Sequence, residues 1–338
     1  SVSHLWAPAA APAGGEEKLD LLLPPGEPVW SLAPASARPI ALSGSTMGTG
    51  WSLRALVPPD LDAGRIEATL ERCFESVIAQ MSQWRSGSQL SRFNAGAPGS
   101  HHKIGPQFRQ VLDCAQAIHR ASKGAFDPML GLHSDHWGFG AVAFDKAARS
   151  PRRSANLDAA SIRTDDPNVV VQPGGAVLDL SGIAKGFAVD MGVAAVERMG
   201  IAHMLLDIGG EAKAIGLRAD ALPWWIDIAV PPGSAARRTR IGLTGWALAT
   251  SGHWERRRFA QDRSWSHTLD PASGEPVNDA LSASVLHPGC MQADALATTL
   301  IVLGMDRGIA FADRHRLPAR IVGPDRITES AAWRAWKQ

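Results

Sequence analysis

The chain reads as an α+β protein on three observations. Apolar residues recur at helical spacing in separate stretches, short strand-like runs cluster with turn signals between them, and hairpin connections outnumber parallel crossovers. From the N-terminus, residues 1–43 carry Pro8, Pro12, Pro24, Pro25, Pro28, Pro34 and Pro39 among many alanines with little periodicity, the composition of an extended arm used as a tether or wrapping segment. Residues 44–338 then read as one domain. A strand around Trp51 to Val57 leads past Pro58-Pro59 into a helix whose apolar face is Ile66, Leu70, Phe74, Val77 and Met81. After a polar loop from Met81 to Asn94, Phe108, Val111, Leu112, Ala115 and Ile118 mark a second helix that Gly124 stops. Residues 168–180 predict a strand, a Pro-Gly-Gly turn and a second strand, and Ile183 to Met199 a helix. Strands are expected at His203 to Ile208, Glu211 to Leu217, Trp224 to Val230 and Ala283 to His287, and a last helix from about Ala293 to Leu303, ended by Gly304. No solenoid repeat is visible.

At 338 residues the chain is long enough for a sizeable core. The 34 Lys and Arg almost balance the 33 Asp and Glu, so no bulk field recruits nucleic acid. A polyphosphate would have to be held locally, by a metal, a few basic side chains and backbone amides. The three cysteines, Cys73, Cys114 and Cys290, form no CxxC pair and no zinc spacing, and an odd number cannot all be bridged internally. The sequence holds no run of about 18 apolar residues, which predicts no membrane-spanning segment. A chain beginning at Ser1 suggests a leader or tag already removed.

Asp294 and Thr298 stand four apart in a predicted helix, so a carboxylate and a hydroxyl share one face. Two hard oxygen ligands suit magnesium, which takes few carboxylates and completes its octahedron with carbonyls, water and phosphate oxygens. The alternative is an ordinary acidic residue in a helix's first turn. Ser181 and Gly182 lie at a strand-to-helix junction with Lys185 in the first turn, where free amides attract phosphate; a solvated lysine fits the spacing equally well. The stretch is neither a P-loop nor GxGxxG. His267 could act as a general base near neutral pH, although nothing in the spacing distinguishes it among 11 histidines. Asp127, before a proline, could shape a turn. Trp84 is either a stacking platform for a flat ring or a core aromatic.

Together these stretches resemble the ApbE family of FAD:protein FMN transferases from about Thr46 to Leu303. The carriers are Ser-Thr-Met-Gly-Thr (45–49), Met-Ser-Gln-Trp with Ser-Gln-Leu-Ser-Arg-Phe-Asn (81–94), Gly-Ala-Phe-Asp-Pro (124–128) and Trp-Gly-Phe-Gly (137–140). To these are added Asp-Leu-Ser-Gly-Ile-Ala-Lys-Gly-Phe-Ala-Val-Asp (179–190), Asp-Ile-Gly-Gly-Glu (207–211), Ala-Thr-Ser-Gly (249–252), Ser-His-Thr-Leu-Asp-Pro (266–271) and Ala-Asp-Ala-Leu-Ala-Thr (293–298). Departures are Trp84 where tyrosine is common, His253-Trp254 for Asp-Tyr, and His133 to His136 in a stretch normally more apolar.

The resemblance implies mixed, largely antiparallel sheets flanked by helices. It implies magnesium ligands at the Gly182 carbonyl, Asp294 and Thr298, and FAD contacts at Met47, Trp84, Ala125, Phe126, Asp127, Asp179, Lys185, Glu255 and Leu269. The reaction implied is attack by a threonine or serine hydroxyl of an acceptor protein on the FMN phosphorus of FAD, releasing AMP, with His267 taking the proton. Family acceptors carry Ser/Thr-Gly-Ala before that residue, a tripeptide this chain lacks, so the acceptor is expected to be another protein. Family habit points to a subunit of a periplasm-facing redox complex, of the sodium-pumping quinone reductase or nitrous oxide respiration type. It also points to an exported, periplasmic location, with membrane association allowed. The alternatives are an FAD pyrophosphatase giving FMN and AMP, and a non-catalytic FAD-binding maturation protein.

Overall fold

The computed structural model describes residues 19–26, 29–129, 162, 165–228, 230–231, 233–234, 236–252, 258–260, 263–265 and 280–338. The strands are β1 (Asp20–Leu22), β2 (Arg38–Thr46), β3 (Thr49–Val57), β4 (His101–Lys103), β5 (Val169–Val171), β6 (His203–Ile208), β7 (Glu211–Ile215) and β8 (Trp225–Ile228). They continue as β9 (Thr239–Gly242), β10 (Ala247–Gly252), β11 (Arg258–Ala260), β12 (Arg263–Trp265), β13 (Ser282–His287), β14 (Ala319–Val322) and β15 (Ile327–Glu329). The helices are α1 (Ala63–Met81), α2 (Gln89–Asn94), α3 (Pro106–Ala121), α4 (Ala184–Glu197), α5 (Cys290–Arg314) and α6 (Ala331–Trp336).

An eight-stranded sheet in the order β15-β14-β13-β10-β7-β6-β3-β2 forms the frame. Every neighbouring pair in it is antiparallel, in agreement with the α+β expectation. One face packs on α1, α3, α4 and α5. The pleat explains the partition: Trp51, Leu53, Ala55 and Val57 of β3 and Met204, Leu206 and Ile208 of β6 enter this main core, while Leu56 and Leu205 between them point to the other face. There a smaller core gathers Leu22 of β1, Ile241 of β9, and Trp333 and Trp336 of α6. A three-stranded sheet, β1-β9-β8, covers it. Strand β2 begins at Arg38 and β1 lies between 20 and 22, so both fall within the Pro/Ala-rich stretch that the sequence reads as an arm.

The helices start where local chemistry permits. Asp62 accepts the amide of Gly64 at 2.9 Å at the head of α1, Ser88 accepts that of Ser91 at 3.0 Å for α2, and Pro106 occupies the first turn of α3. Helix α5 is long and apolar enough, by length and composition alone, to cross a membrane. It packs against α4, β10 and β13 as the central helix of the main core, and that packing accounts for its apolar character. Gly304, at φ 79° and ψ −174°, breaks its helical geometry at the expected stop, and the chain resumes as helix to Arg314. All three cysteines lie in helices as free thiols.

The expected second strand before α4 does not form. Only Val169–Val171 is a strand, and its continuation is held by side-chain amides instead of a ladder. Gln172 accepts the amides of Gly174 and Ala176 and donates to the carbonyls of Phe93 and Ala176. Asn94 receives the Leu178 amide at 2.8 Å and donates to its carbonyl at 2.9 Å. Two amide side chains, Gln172 of the stretch itself and Asn94 from α2, thus satisfy backbone that a neighbouring strand would have satisfied. Asn94→Ala is expected to lower the unfolding free energy by about 2 kcal/mol at unchanged urea m-value, because both polar groups of Leu178 lose their partner. A loss under about 0.5 kcal/mol would show that this clamp carries no weight.

Candidate active site

The site forms at one end of the large sheet, where two tight turns lie side by side. Between β2 and β3, Met47 and Gly48 take φ 48° and 72°, and between β6 and β7, Gly209 and Gly210 take φ 60° and 100°. Both are two-residue hairpin loops with positive φ at each central residue. The Gly209 amide donates to Gly50 at 3.0 Å and ties the turns together. Met47, expected at the flavin site, is thus a non-glycine residue held in the left-handed region and packed against the main core.

Beneath the turns, α4 and α5 cross at close range. A Cβ on Gly186 would press on the Cys290 carbonyl and lie 2.7 Å from Asp294 Cβ. This contact lets the Gly186 amide donate to Asp294 Oδ2 at 2.9 Å. Asp294 is 3% exposed and sits one full turn into α5, so it is no first-turn surface charge. Thr298 follows on the same face, with Oγ1 3.3 Å from Ser251 Oγ at the end of β10. Gly182 lies alongside: a Cβ there would stand 3.4 Å from Thr298 Oγ1 and 3.5 Å from the Phe126 ring. Gly182 and Asp294 thus both lie beside Thr298.

The segment from Ala125 to Asp127 is stitched to this centre. Ser122 receives the amides of Ala125, through its carbonyl, and of Phe126, through its hydroxyl, and the Phe126 carbonyl lies 2.8 Å from His119 Nδ1. Asp127 receives the Met129 amide at 2.9 Å, and the Asp179 amide donates to Pro128 at 2.8 Å. Asp127 does shape its turn, and Phe126 just ahead of it lies beside Gly182. Trp84 stands 66% exposed in the α1–α2 connection, so it is not a core aromatic. Glu255, His267 and Leu269, with the stretches 133–140 and 253–254, lie outside the described residues.

The expected free amides before α4 are only partly free. Asp179 takes the Ser181 amide at 2.8 Å, the Leu180 carbonyl takes those of Ile183 and Ala184, and Asp294 takes that of Gly186. Four of the six amides from Ser181 to Gly186 are thus taken, and those of Gly182 and Lys185 make no hydrogen bond among the described residues. Lys185 is not a solvated lysine: its Nζ lies 3.4 Å from Glu211 Oε2. Glu211 is 4% exposed, and loss of hydration pushes its carboxyl up to about 7 against the pull of Lys185. Burial first and the Glu211 charge second push Asp294 well above the usual carboxylate range, while Lys185 and the Gly186 amide oppose the rise. Burial likewise raises Asp207.

The family model for the ApbE family matches residues 47–321. The chain belongs to the ApbE family. Among curated ApbE relatives, the FAD:protein FMN transferase of Vibrio cholerae is 33% identical over 301 residues, covering 85% of this chain and 88% of the relative. That of Haemophilus influenzae is 32% identical over 302 residues, covering 84% and 86%. The solved flavin transferase ApbE from Vibrio cholerae superposes with a TM-score of 0.79 at 29% identity, over 89% of this chain and 99% of that one. The Pseudomonas stutzeri flavinyl transferase ApbE, in its apo form, gives 0.80 at 28% identity, over 89% and 97%.

The ApbE residues present suit a hard divalent cation. Asp207, Glu211 and Asp294 share one lysine and desolvation raises all three, so these carboxyls are under-compensated by positive charge. Among the described residues no three acidic, histidine or cysteine side chains form a ready metal cage. A carboxylate, a hydroxyl and a main-chain carbonyl are a sparse oxygen set of the kind magnesium uses. Sequence reasoning missed three contributors: Glu211, Ser251 and Asp190. Asp190 accepts the Cys290 and Met291 amides at 2.9 Å each and pairs with Lys213 at 3.3 Å, capping α5 from outside. The one signal for it was the absence of a capping side chain at Gly289.

Gly186→Ala is expected to cost about 1–3 kcal/mol of stability and to displace Asp294, because the clash is with backbone and a neighbouring helix. A crystal structure of the variant with Asp294 unmoved would contradict this. A second expectation concerns pH. A carboxyl with a higher pKa in the folded protein than in the unfolded chain binds its proton more tightly when folded. Stability of the metal-free protein should therefore fall as pH rises from about 4.5 to about 7 through Glu211. Urea melts of wild type and Glu211→Gln across that window measure it; the variant's slope should be flatter, and parallel slopes would refute the assignment.

Proposed function

We propose that this chain transfers FMN from FAD to a threonine or serine hydroxyl of an acceptor protein through a phosphoester bond, releasing AMP. The observation that carries the reading is the convergence of Gly182, Asp294 and Thr298 beside Lys185, in a chain whose curated relatives bear that transferase name. Magnesium held by the Gly182 carbonyl, Asp294 and Thr298 would neutralise charge on the FAD pyrophosphate. Lys185, pivoting at the head of α4, supplies positive charge to the same phosphates. Met47, Trp84, Ala125, Phe126, Asp127, Asp179, Glu255 and Leu269 bind FAD in this reading, with the exposed face of Trp84 available to stack on a flat ring.

The acceptor oxygen attacks the FMN phosphorus, its proton passes to His267, and the bond from that phosphorus to the oxygen of AMP breaks. The acceptor is a subunit of a periplasm-facing redox complex, either of the quinone reductase type or the flavoprotein of nitrous oxide respiration, and the enzyme works in the periplasm.

The test is mass spectrometry of an acceptor domain bearing Ser/Thr-Gly-Ala-Ser/Thr after incubation with this protein, FAD and Mg²⁺. The expected result is an FMN-phosphoester mass gain that EDTA and Asp294→Ala abolish and that His267→Ala slows by about 10²–10⁴-fold. AMP release without a mass gain would mean hydrolysis of FAD, and intact FAD would mean a flavin-binding protein.

A further inference from the structure

Strand β7 breaks the pattern of its sheet. On the face where β6 sends Met204 and Leu206 and β10 sends Ala247 and Ala249 into the main core, β7 presents Glu211 and Lys213. Both charges meet α4: Glu211 pairs with Lys185 and Lys213 with Asp190. Two residues along a strand span about 6.8 Å and five along a helix about 7.5 Å, so the two elements can match both pairs. The Lys213–Asp190 pair has an evident task, since Asp190 also caps α5. The Lys185–Glu211 pair caps nothing, and Glu211 Oε2 makes no aligned hydrogen bond.

The surroundings of Lys185 suggest its task. The Gly186 amide is bonded to Asp294, so the adjoining Lys185 backbone runs close to that carboxylate. Lys185 is thus within the field of both Asp294 and Glu211. Asp207, also nearby, is committed to its turn through the Gly210 amide at 3.0 Å. An ammonium seated on Asp294 would compete with any cation for the same oxygens.

We propose that Glu211 is a positioning residue: its carboxylate holds the Lys185 ammonium away from Asp294, leaving Asp294 to a divalent cation and Lys185 to the substrate's phosphates. The inference rests on the magnesium-dependent reading of the site above. Without Glu211, Lys185 turns to Asp294 and the site closes on itself as an internal ion pair.

The experiment is a double-mutant cycle on Mg²⁺ affinity, read by titration calorimetry of the free proteins with folding checked by circular dichroism. Glu211→Gln is expected to weaken Mg²⁺ binding by about tenfold or more. Lys185→Met alone should leave it equal or tighter, and adding Glu211→Gln in the Lys185→Met background should then change it less than about threefold. A simple loss of negative charge would instead weaken binding equally in both backgrounds, and that result overturns the proposal. Glu211→Asp, which keeps the charge but withdraws it by one methylene, is the second variant. It should weaken binding with Lys185 present and not without it, and equal effects in the two backgrounds overturn the proposal even if Glu211→Gln does not fold. Wild type taking up no Mg²⁺, with or without FAD, would sink the magnesium reading itself. Wild-type uptake with both Glu211 variants unchanged would sink this inference alone.

Discussion

The close crossing of α4 on α5 at Gly186 is the contact from which the site's geometry follows. With no side chain at that position the helices approach until a main-chain amide of one bonds the carboxylate of the other. That bond orients Asp294 in a place where burial raises it well above the usual carboxylate range, a rise that the amide opposes only in part. The same approach brings the Gly182 junction, just ahead of α4, against Thr298, one turn further along α5. A larger residue at Gly186 would separate both pairs at once, so the arrangement of Gly182, Asp294 and Thr298 depends on a single missing Cβ.

Charge placed on the inner face of β7 maintains that crossing. Strand β7 gives up apolar packing at two positions, and the ion pairs it makes instead both end on α4. Buried ion pairs contribute little net stability, since desolvation offsets most of the attraction, but breaking one leaves an uncompensated charge. Their benefit here is positional. Asp190 takes the first amides of α5, a helix without a cap of its own, and fixes the height at which Asp294 emerges. The twin hairpin turns at the sheet end hold Glu211 and Met47 in register with the helices, Met47 in a conformation that only glycine adopts freely.

The reading of α4 as a phosphate grip changes in consequence. Helix starts attract anions through unpaired amides, and here Asp179, Leu180 and Asp294 occupy four of the six from Ser181 to Gly186, which leaves those of Gly182 and Lys185. Lys185 stands beside them, an adjustable side chain whose direction its partner carboxylate can set.

Much was legible in the sequence, because periodicity and spacing are local. The apolar face of α1, the limits of α4, the stop at Gly304 and the sharing of one helical face by Asp294 and Thr298 all follow from residues a turn or two apart. The expected second strand after the Pro-Gly-Gly turn does not form because the backbone there is held by the side chains of Asn94 and Gln172, and Asn94 lies 84 residues away from Leu178. Glu211 beside Gly209-Gly210 has the look of a solvated turn charge, and Asp190 that of an ordinary helix residue. The sequence by itself determined the strongly periodic elements, the family motifs and the sharing of one helical face by Asp294 and Thr298, since these depend on backbone period and neighbouring residues. Only the tertiary structure decided which charges are buried, which amides are already taken and which carboxylate holds Lys185, because desolvation and ion pairing depend on distances between segments far apart in the chain.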